Sequence, residues 1–175
     1  MKKALAALLP LTALAACATP LESTASPMGM AVIHNDAGAE IGTARLFAQG
    51  DAVTINIALN MPGGTGVHGV HLHETGTCTA PGFTSAGGHL NPAAKQHGMH
   101  NPQGSHLGDL PNVTLSASGT GSASATLPGT LAAVTAQIFD ANGTAIVVHA
   151  GPDDYVTDPT GGSGGRIACG VFQRS

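Results

Sequence analysis

The sequence predicts an all-β domain: an eight-stranded antiparallel Greek-key sandwich or flattened barrel with two long functional loops. Three observations predict it. Eight short runs carry alternating or β-branched apolar residues. Gly, Pro, Asn and Asp punctuate the gaps between them. Two long segments, 74–111 and 150–165, have little strand pattern. Antiparallel strands in this number pack as a sandwich or barrel, and loops this long in a compact domain are usually functional.

Ahead of the strands the 175-residue chain reads as an export signal. Lys2 and Lys3 precede a short apolar run, residues 4–16, which falls below the roughly 20 residues needed to span a bilayer. It ends in Leu14-Ala15-Ala16-Cys17, which resembles the lipobox of bacterial lipoproteins, where the Cys is lipidated and becomes the mature N-terminus. Ordinary cleavage in the same Ala-rich stretch is the alternative. The expected organisation is a signal peptide over 1–16, a tether over 17–27 and a domain over 28–175. The tether's small polar residues and two prolines bury too little surface to order themselves.

The first four strands are expected at 28–34, 41–47, 52–59 and 67–73. Asn35-Asp36-Ala37-Gly38, Gln49-Gly50-Asp51 and Met61-Pro62-Gly63-Gly64 are the turns between them. Val53-Thr54-Ile55-Asn56-Ile57 is the clearest half-buried alternation. Later strands are expected at 113–117, 122–127, 144–149 and 166–172, with Ser118-Gly119-Thr120-Gly121 as a hairpin turn. Residues 131–136 have modest helix propensity and are expected to form a loop.

Composition narrows the function. Charged residues are 9% and apolar residues 42%, so the chain is not a disordered polyelectrolyte. Aromatics are 3%, so the core must come from Val, Ile, Leu and Ala. Loss of Lys2 and Lys3 would take the net charge of −4 two units lower, to −6. No basic patch exists, which argues against nucleic-acid binding. Cys78 and Cys169 read as one disulfide in an exported protein, two buried free thiols being the alternative.

Nine His residues are many for this length. His71 and His73 are two apart on a strand and face the same side, so they can share a metal, although such pairs are often plain surface residues. The first long loop adds His89, His97, His100, His106 and Asp109. Three imidazoles and a carboxylate make the closed tetrahedral set that structural zinc prefers, and coordination can order a Gly-rich loop. His149 ends an apolar strand and can complete a copper site with His71 and His73; alone it reads as a structural His.

Six motifs, in order, resemble the copper,zinc superoxide dismutase family. They are His68-Gly69-Val70-His71-Leu72-His73, Ser85-Ala86-Gly87-Gly88-His89-Leu90-Asn91-Pro92, His97-Gly98, His106-Leu107-Gly108-Asp109-Leu110, Val147-Val148-His149-Ala150 and Gly164-Gly165-Arg166-Ile167-Ala168-Cys169-Gly170-Val171. Pro81-Gly82-Phe83, between Cys78 and His89, is similar to the bacterial branch. The resemblance covers the chain from about Met28 to its end.

That resemblance implies copper at His71, His73, His89 and His149, and zinc at His89, His97, His106 and Asp109, with His89 bridging. It implies a carboxylate behind the ligands at Asp153, an anion-binding Arg166, a channel residue at Thr160 and a Cys78–Cys169 disulfide. His68 is expected to hold loop backbone by a hydrogen bond. His34 is expected to be structural, His100 solvent-facing and Glu74 a surface or turn residue. Lys95 is a candidate for guiding an anion, with an ordinary solvated Lys as the alternative.

The implied activity converts superoxide to dioxygen and hydrogen peroxide through alternating Cu(II) and Cu(I), with Arg166 and His89 as the catalytic side chains. The implied setting is the periplasm, anchored by lipidated Cys17, as a monomer or homodimer. A non-catalytic copper- and zinc-binding lipoprotein on the same fold is the competing reading.

Overall fold

Every second side chain of β3 (Ala52–Asn60) is buried: Val53, Ile55, Ile57 and Leu59. That alternation seeds the core, which β1 (Ser26–Asn35) and β2 (Glu40–Gln49) extend with Ala31, Ile33, Ile41, Ala44 and Leu46. The computed structural model describes residues 25–175; the expected signal peptide, Cys17 and most of the tether lie outside the described residues. No helix among the described residues is long and apolar enough to cross a membrane.

The remaining strands are β4 (Gly66–His68), β5 (Val70–His73), β6 (Val113–Leu115), β7 (Thr120–Leu127), β8 (Ala145–His149), β9 (Arg166–Val171) and β10 (Gln173–Arg174). The main sheet runs β5-β8-β9-β1-β2-β3-β7, all antiparallel, with β10 added to β1. The neighbours β3–β7, β5–β8 and β1–β9 are distant in sequence, which is the Greek-key pattern expected. β4 and β6 form a second, two-stranded sheet. The core is aliphatic as the composition requires, with Phe83 and Phe172 its buried aromatic rings.

Three expectations are corrected. The run 67–73 is two strands, not one, because Gly69 is a corner: β4 pairs with β6, whereas β5 pairs with β8. The Gly69 carbonyl accepts from His149 N, and a Cβ there would lie 2.6 Å from the Ser163 hydroxyl, so glycine is required. Residues 131–136 belong to a helix, α1 (Leu131–Ile138). Ala133 N donates to the Thr130 side chain as an N-cap, and Val134 and Ile138, four apart, are buried on the core side. Finally, Ser26 and Pro27, expected in the tether, are already strand, paired with Ala48 and Phe47.

Candidate metal centre

β5 and β8 run side by side with His71 opposite Val147, and both carry imidazoles inward: His71 and His73 are fully buried and His149 is 3% exposed. The first long loop folds back onto β5 through bridges His73–His89 and His71–Asp109. These pairings assemble two overlapping donor groups, His71, His73, His89 and His149, and His89, His97, His106 and Asp109. His89 belongs to both.

Each imidazole is oriented by its other nitrogen. His71 Nε2 donates to Asp153 Oδ2 at 2.8 Å, His73 Nδ1 to the Gly87 carbonyl at 3.0 Å, and His149 Nδ1 to the Gly164 carbonyl at 3.2 Å. That leaves His71 Nδ1, His73 Nε2, His89 Nε2 and His149 Nε2 buried with no hydrogen-bond partner, and they are the four atoms of the first group. Buried polar nitrogens are rarely orphaned without a reason, and a neutral imidazole fixed at one nitrogen is a metal ligand at the other.

In the second group Asp109 Oδ1 lies 3.2 Å from His89 Nδ1, 3.0 Å from His97 Nδ1 and 3.1 Å from His106 Nδ1. Zinc–ligand bonds of roughly 2.0–2.1 Å give a tetrahedron with edges of about 3.3–3.4 Å. The donor spacing therefore fits a zinc-sized cation closely. Asp153 joins the groups from behind, its Oδ1 accepting from His97 Nε2 at 3.0 Å.

The comparisons with known proteins agree with this geometry. Residues 40–172 match the family model for copper/zinc superoxide dismutase. The chain belongs to the copper/zinc superoxide dismutase family.

Among its relatives is a Cu-Zn superoxide dismutase of Aquifex aeolicus (strain VF5), 42% identical over 144 residues, 81% of this chain and 85% of that one. The crystal structure of a SOD-like protein from Bacillus subtilis superposes with a TM-score of 0.73 at 36% identity, covering 82% of this chain and 97% of that one. The Cu/Zn superoxide dismutase from Brucella abortus gives 0.64 at 28% identity, covering 82% and 98%. Copper and zinc are the cofactors of this dismutase family, and the two donor groups fit them.

The remaining residues singled out in the sequence occupy β4, β9, the Cys78–Gly87 segment, the second long loop and the surface. Arg166 Nη1 and Nη2 donate to the Phe83 and Gly87 carbonyls at 2.8 and 2.6 Å. Gly87 therefore holds both Arg166 and His73 through one oxygen. The Cys78–Cys169 disulfide is present, with Cα atoms 5.7 Å apart, and fastens the segment that carries these carbonyls to β9. Thr160 is exposed on the second long loop, its carbonyl accepting from the Ser163 hydroxyl. His68 Nδ1 donates to the His149 carbonyl at 2.8 Å, the backbone-holding role expected. Glu74 Oε1 accepts from Gly88 N, and so acts as a turn residue. His34 is exposed at the end of β1 and not part of the core. His100 is exposed, as expected.

Lys95 lies in the first long loop, next to the zinc-side donors through its backbone. Its carbonyl accepts from His106 Nε2, and its neighbours across a groove are Leu107, Ala133 and Gln137 of the α1 side. The carbonyls of Gly87 and Gly164, which orient His73 and His149, were not foreseeable as site groups, since backbone oxygens leave no residue-type signal.

Burial sets the protonation states of the metal-free centre. Desolvation, reinforced by neighbouring imidazoles and Arg166, holds His73 at about 2 and His149 at about 4. Desolvation also holds His89 at about 4, with the Asp109 carboxylate opposing. Burial alone would lower His97 too, but the carboxylates of Asp109 and Asp153 outweigh it and raise His97 to about 9. Burial would likewise raise both carboxyl groups, yet hydrogen bonds from the imidazoles pull them well below the usual carboxylate range.

A pH dependence follows. Below about pH 6.5 the unfolded chain takes up protons that His73, His89 and His149 refuse in the fold, so metal-free protein loses stability as pH falls toward 4. The single contribution of His97 is complete below 6.5 and is lost as pH rises through 9. Urea unfolding of the metal-free protein is expected to show a maximum near neutrality with the steeper limb on the acid side. A flat acid limb would contradict the assignment of three neutral buried imidazoles.

Proposed function

We propose that the protein disproportionates superoxide, two superoxide ions and two protons giving dioxygen and hydrogen peroxide. The observation that supports it best is the convergence of four partnerless imidazole nitrogens, one of them from a residue that also serves the second donor group. His71, His73, His89 and His149 would hold copper, and His89, His97, His106 and Asp109 would hold zinc. Bound copper would supply the alternating one-electron oxidant and reductant that the reaction needs.

The chain's own groups account for the rest. His89 Nε2 sits in the copper group while its Nδ1 sits in the zinc group, so that Nε2 can take up and return a proton without the ring losing its place. Arg166 is pinned by two carbonyls, which leaves its remaining N–H groups to bind and orient a small anion. It lies close enough for its charge to lower the proton affinity of both His73 and His149. Thr160 and the rest of the 150–165 loop would form the channel wall. Export by the 1–16 signal, acylation of Cys17 and residence in the periplasm complete the reading, and the disulfide supports an oxidising compartment. Two copies could pair as a homodimer.

A second reading, metal binding without turnover, draws on the relative described as SOD-like. One experiment separates them: purified protein is loaded with copper and zinc, and superoxide disproportionation and metal content are measured on the same sample. Activity tracking one copper per chain and disappearing in His149→Ala is the expected result. Stoichiometric metal without activity would favour the second reading, and failure to bind copper would end both.

A further inference from the structure

Asp153 is buried, and its two carboxylate oxygens hold His71 Nε2 and His97 Nε2, one from each donor group. Its own loop is poorly suited to hold it. Residues 150–165 include five glycines, 151, 161, 162, 164 and 165, and such a segment loses much conformational freedom when ordered.

Two residues supply the support, Asn112 from outside this loop and Tyr155 from within it. Asn112, just after the Asp109 turn, faces Asp153 edge to edge. Asp153 N donates to Asn112 Oδ1 at 2.9 Å, and Asn112 Nδ2 donates to the Asp153 carbonyl at 2.9 Å. The side-chain amide thus pairs with the Asp153 backbone as a neighbouring strand would. Asn112 N donates in turn to the Tyr155 phenol oxygen at 2.8 Å. Tyr155 N donates to Asp153 Oδ1 at 2.7 Å, the same oxygen that meets His97. The Tyr155 carbonyl accepts from His100 N, and a Cβ on Gly98 would collide with that carbonyl.

Tyr155 adopts φ +65°, a left-handed conformation that a non-glycine residue keeps only when its surroundings impose it. Here four polar contacts impose it: the phenol, the amide, the carbonyl and, through Asp153, the Asn112 side chain. Asn112 and Tyr155 hydrogen-bond to each other, to Asp153 and to His100, and none of these bonds reaches a residue of either donor group. Their contacts end on Asp153 and on the zinc-side loop at His100.

The geometry points to Asn112 and Tyr155 as a latch that sets the Asp153 carboxylate and thereby controls how long the His97 side of the centre keeps its metal. They are positioning residues acting through Asp153, and the inference rests on the zinc assignment above. Partners that orient metal ligands from outside typically change affinity 10–100-fold when removed.

The test measures zinc release to a chelator from the copper- and zinc-loaded protein. Asn112→Ala is expected to speed release about tenfold. Tyr155→Phe, which keeps the ring and loses the phenol oxygen, is expected to speed it by a smaller factor, about threefold. In an Asp153→Ala background, Asn112→Ala should add less than a factor of about two, because the carboxylate it positions is gone. Equal acceleration in both backgrounds would mean general loosening and overturn the latch, as would an unchanged rate in the single variant.

A second readout is built in. Tyr155 is the one tyrosine and the chain has no tryptophan, so phenol fluorescence reports this residue alone. Its emission should change at the rate of zinc release in the parent and start at the released value in Asn112→Ala. A parent emission indifferent to zinc would overturn the coupling. A parent protein that binds no zinc would overturn the zinc assignment and this role with it.

Discussion

Gly161→Ala is expected to strip zinc from the protein and abolish activity while leaving the β-barrel folded. Gly161 lies flat against the joint between the two donor groups. A Cβ at this position would collide with Asp153 Oδ1 and sit 2.7 Å from His97 Nε2. Neither neighbour can yield cheaply, since both are buried and bonded to each other. The backbone adds to the problem, because φ is +64° and a side chain there costs about 1–2 kcal/mol. Losing a charge-assisted hydrogen bond costs on the order of 1.5–3 kcal/mol more. Zinc content after gel filtration, activity and far-UV circular dichroism on one preparation check the result. Gly162→Ala is the control: its φ is +63°, but the nearest atom to a Cβ, Asp154 Oδ2, is 3.8 Å away. If Gly162→Ala loses as much zinc, backbone strain and not the collision explains the effect.

Replacing both Cys78 and Cys169 with serine should cost stability and activity by separate routes. The bridge joins residues 91 apart, for which the chain-entropy model gives about 4–5 kcal/mol and native disulfides typically about 2–5. For a domain of this size that corresponds to a Tm lower by roughly 5–15 °C. The activity loss should exceed the unfolded fraction, because the bridge fastens the segment whose Phe83 and Gly87 carbonyls hold Arg166. His73 would loosen with it, since Gly87 holds that ring as well. Thermal unfolding, and activity per bound copper well below Tm, separate the two routes. Unchanged activity per copper would show that the contacts of Glu74 and the loop backbone hold Gly87 without the bridge.

Much of this was legible from residue order. Strands such as β3 announce themselves because burial on one face imposes a period of two, and His71 and His73 share a face for the same reason. The His-rich segments stood out as metal-ligand candidates by residue type, whereas the division of the donors between copper and zinc came from the resemblance of the motifs to the family. Helix α1 was missed because its eight residues, three of them Ala, carry no charge pattern, and its Val134–Ile138 pair is short evidence. The corner at Gly69 left only a one-residue slip of phase, Val67 against Val70 and Leu72, which is faint evidence for a change of pairing partner in so short a run. Tyr155 and Gly161 were silent for a different reason: what they do depends on a backbone conformation and a close approach that only the folded loop creates.

The disulfide also alters the distance the chain must search. Along the backbone His73 and His149, on the paired strands β5 and β8, are 76 residues apart. Through the bridge the path is 5 residues to Cys78 and 20 back from Cys169. Closing a loop about a third as long raises the chance of encounter roughly fivefold by the three-halves power of length. Contact order, counted through covalent bonds, falls accordingly for the pairing that brings the copper ligands together. The bond that holds the finished centre therefore also lets an oxidised chain find β5–β8 pairing sooner than a reduced one.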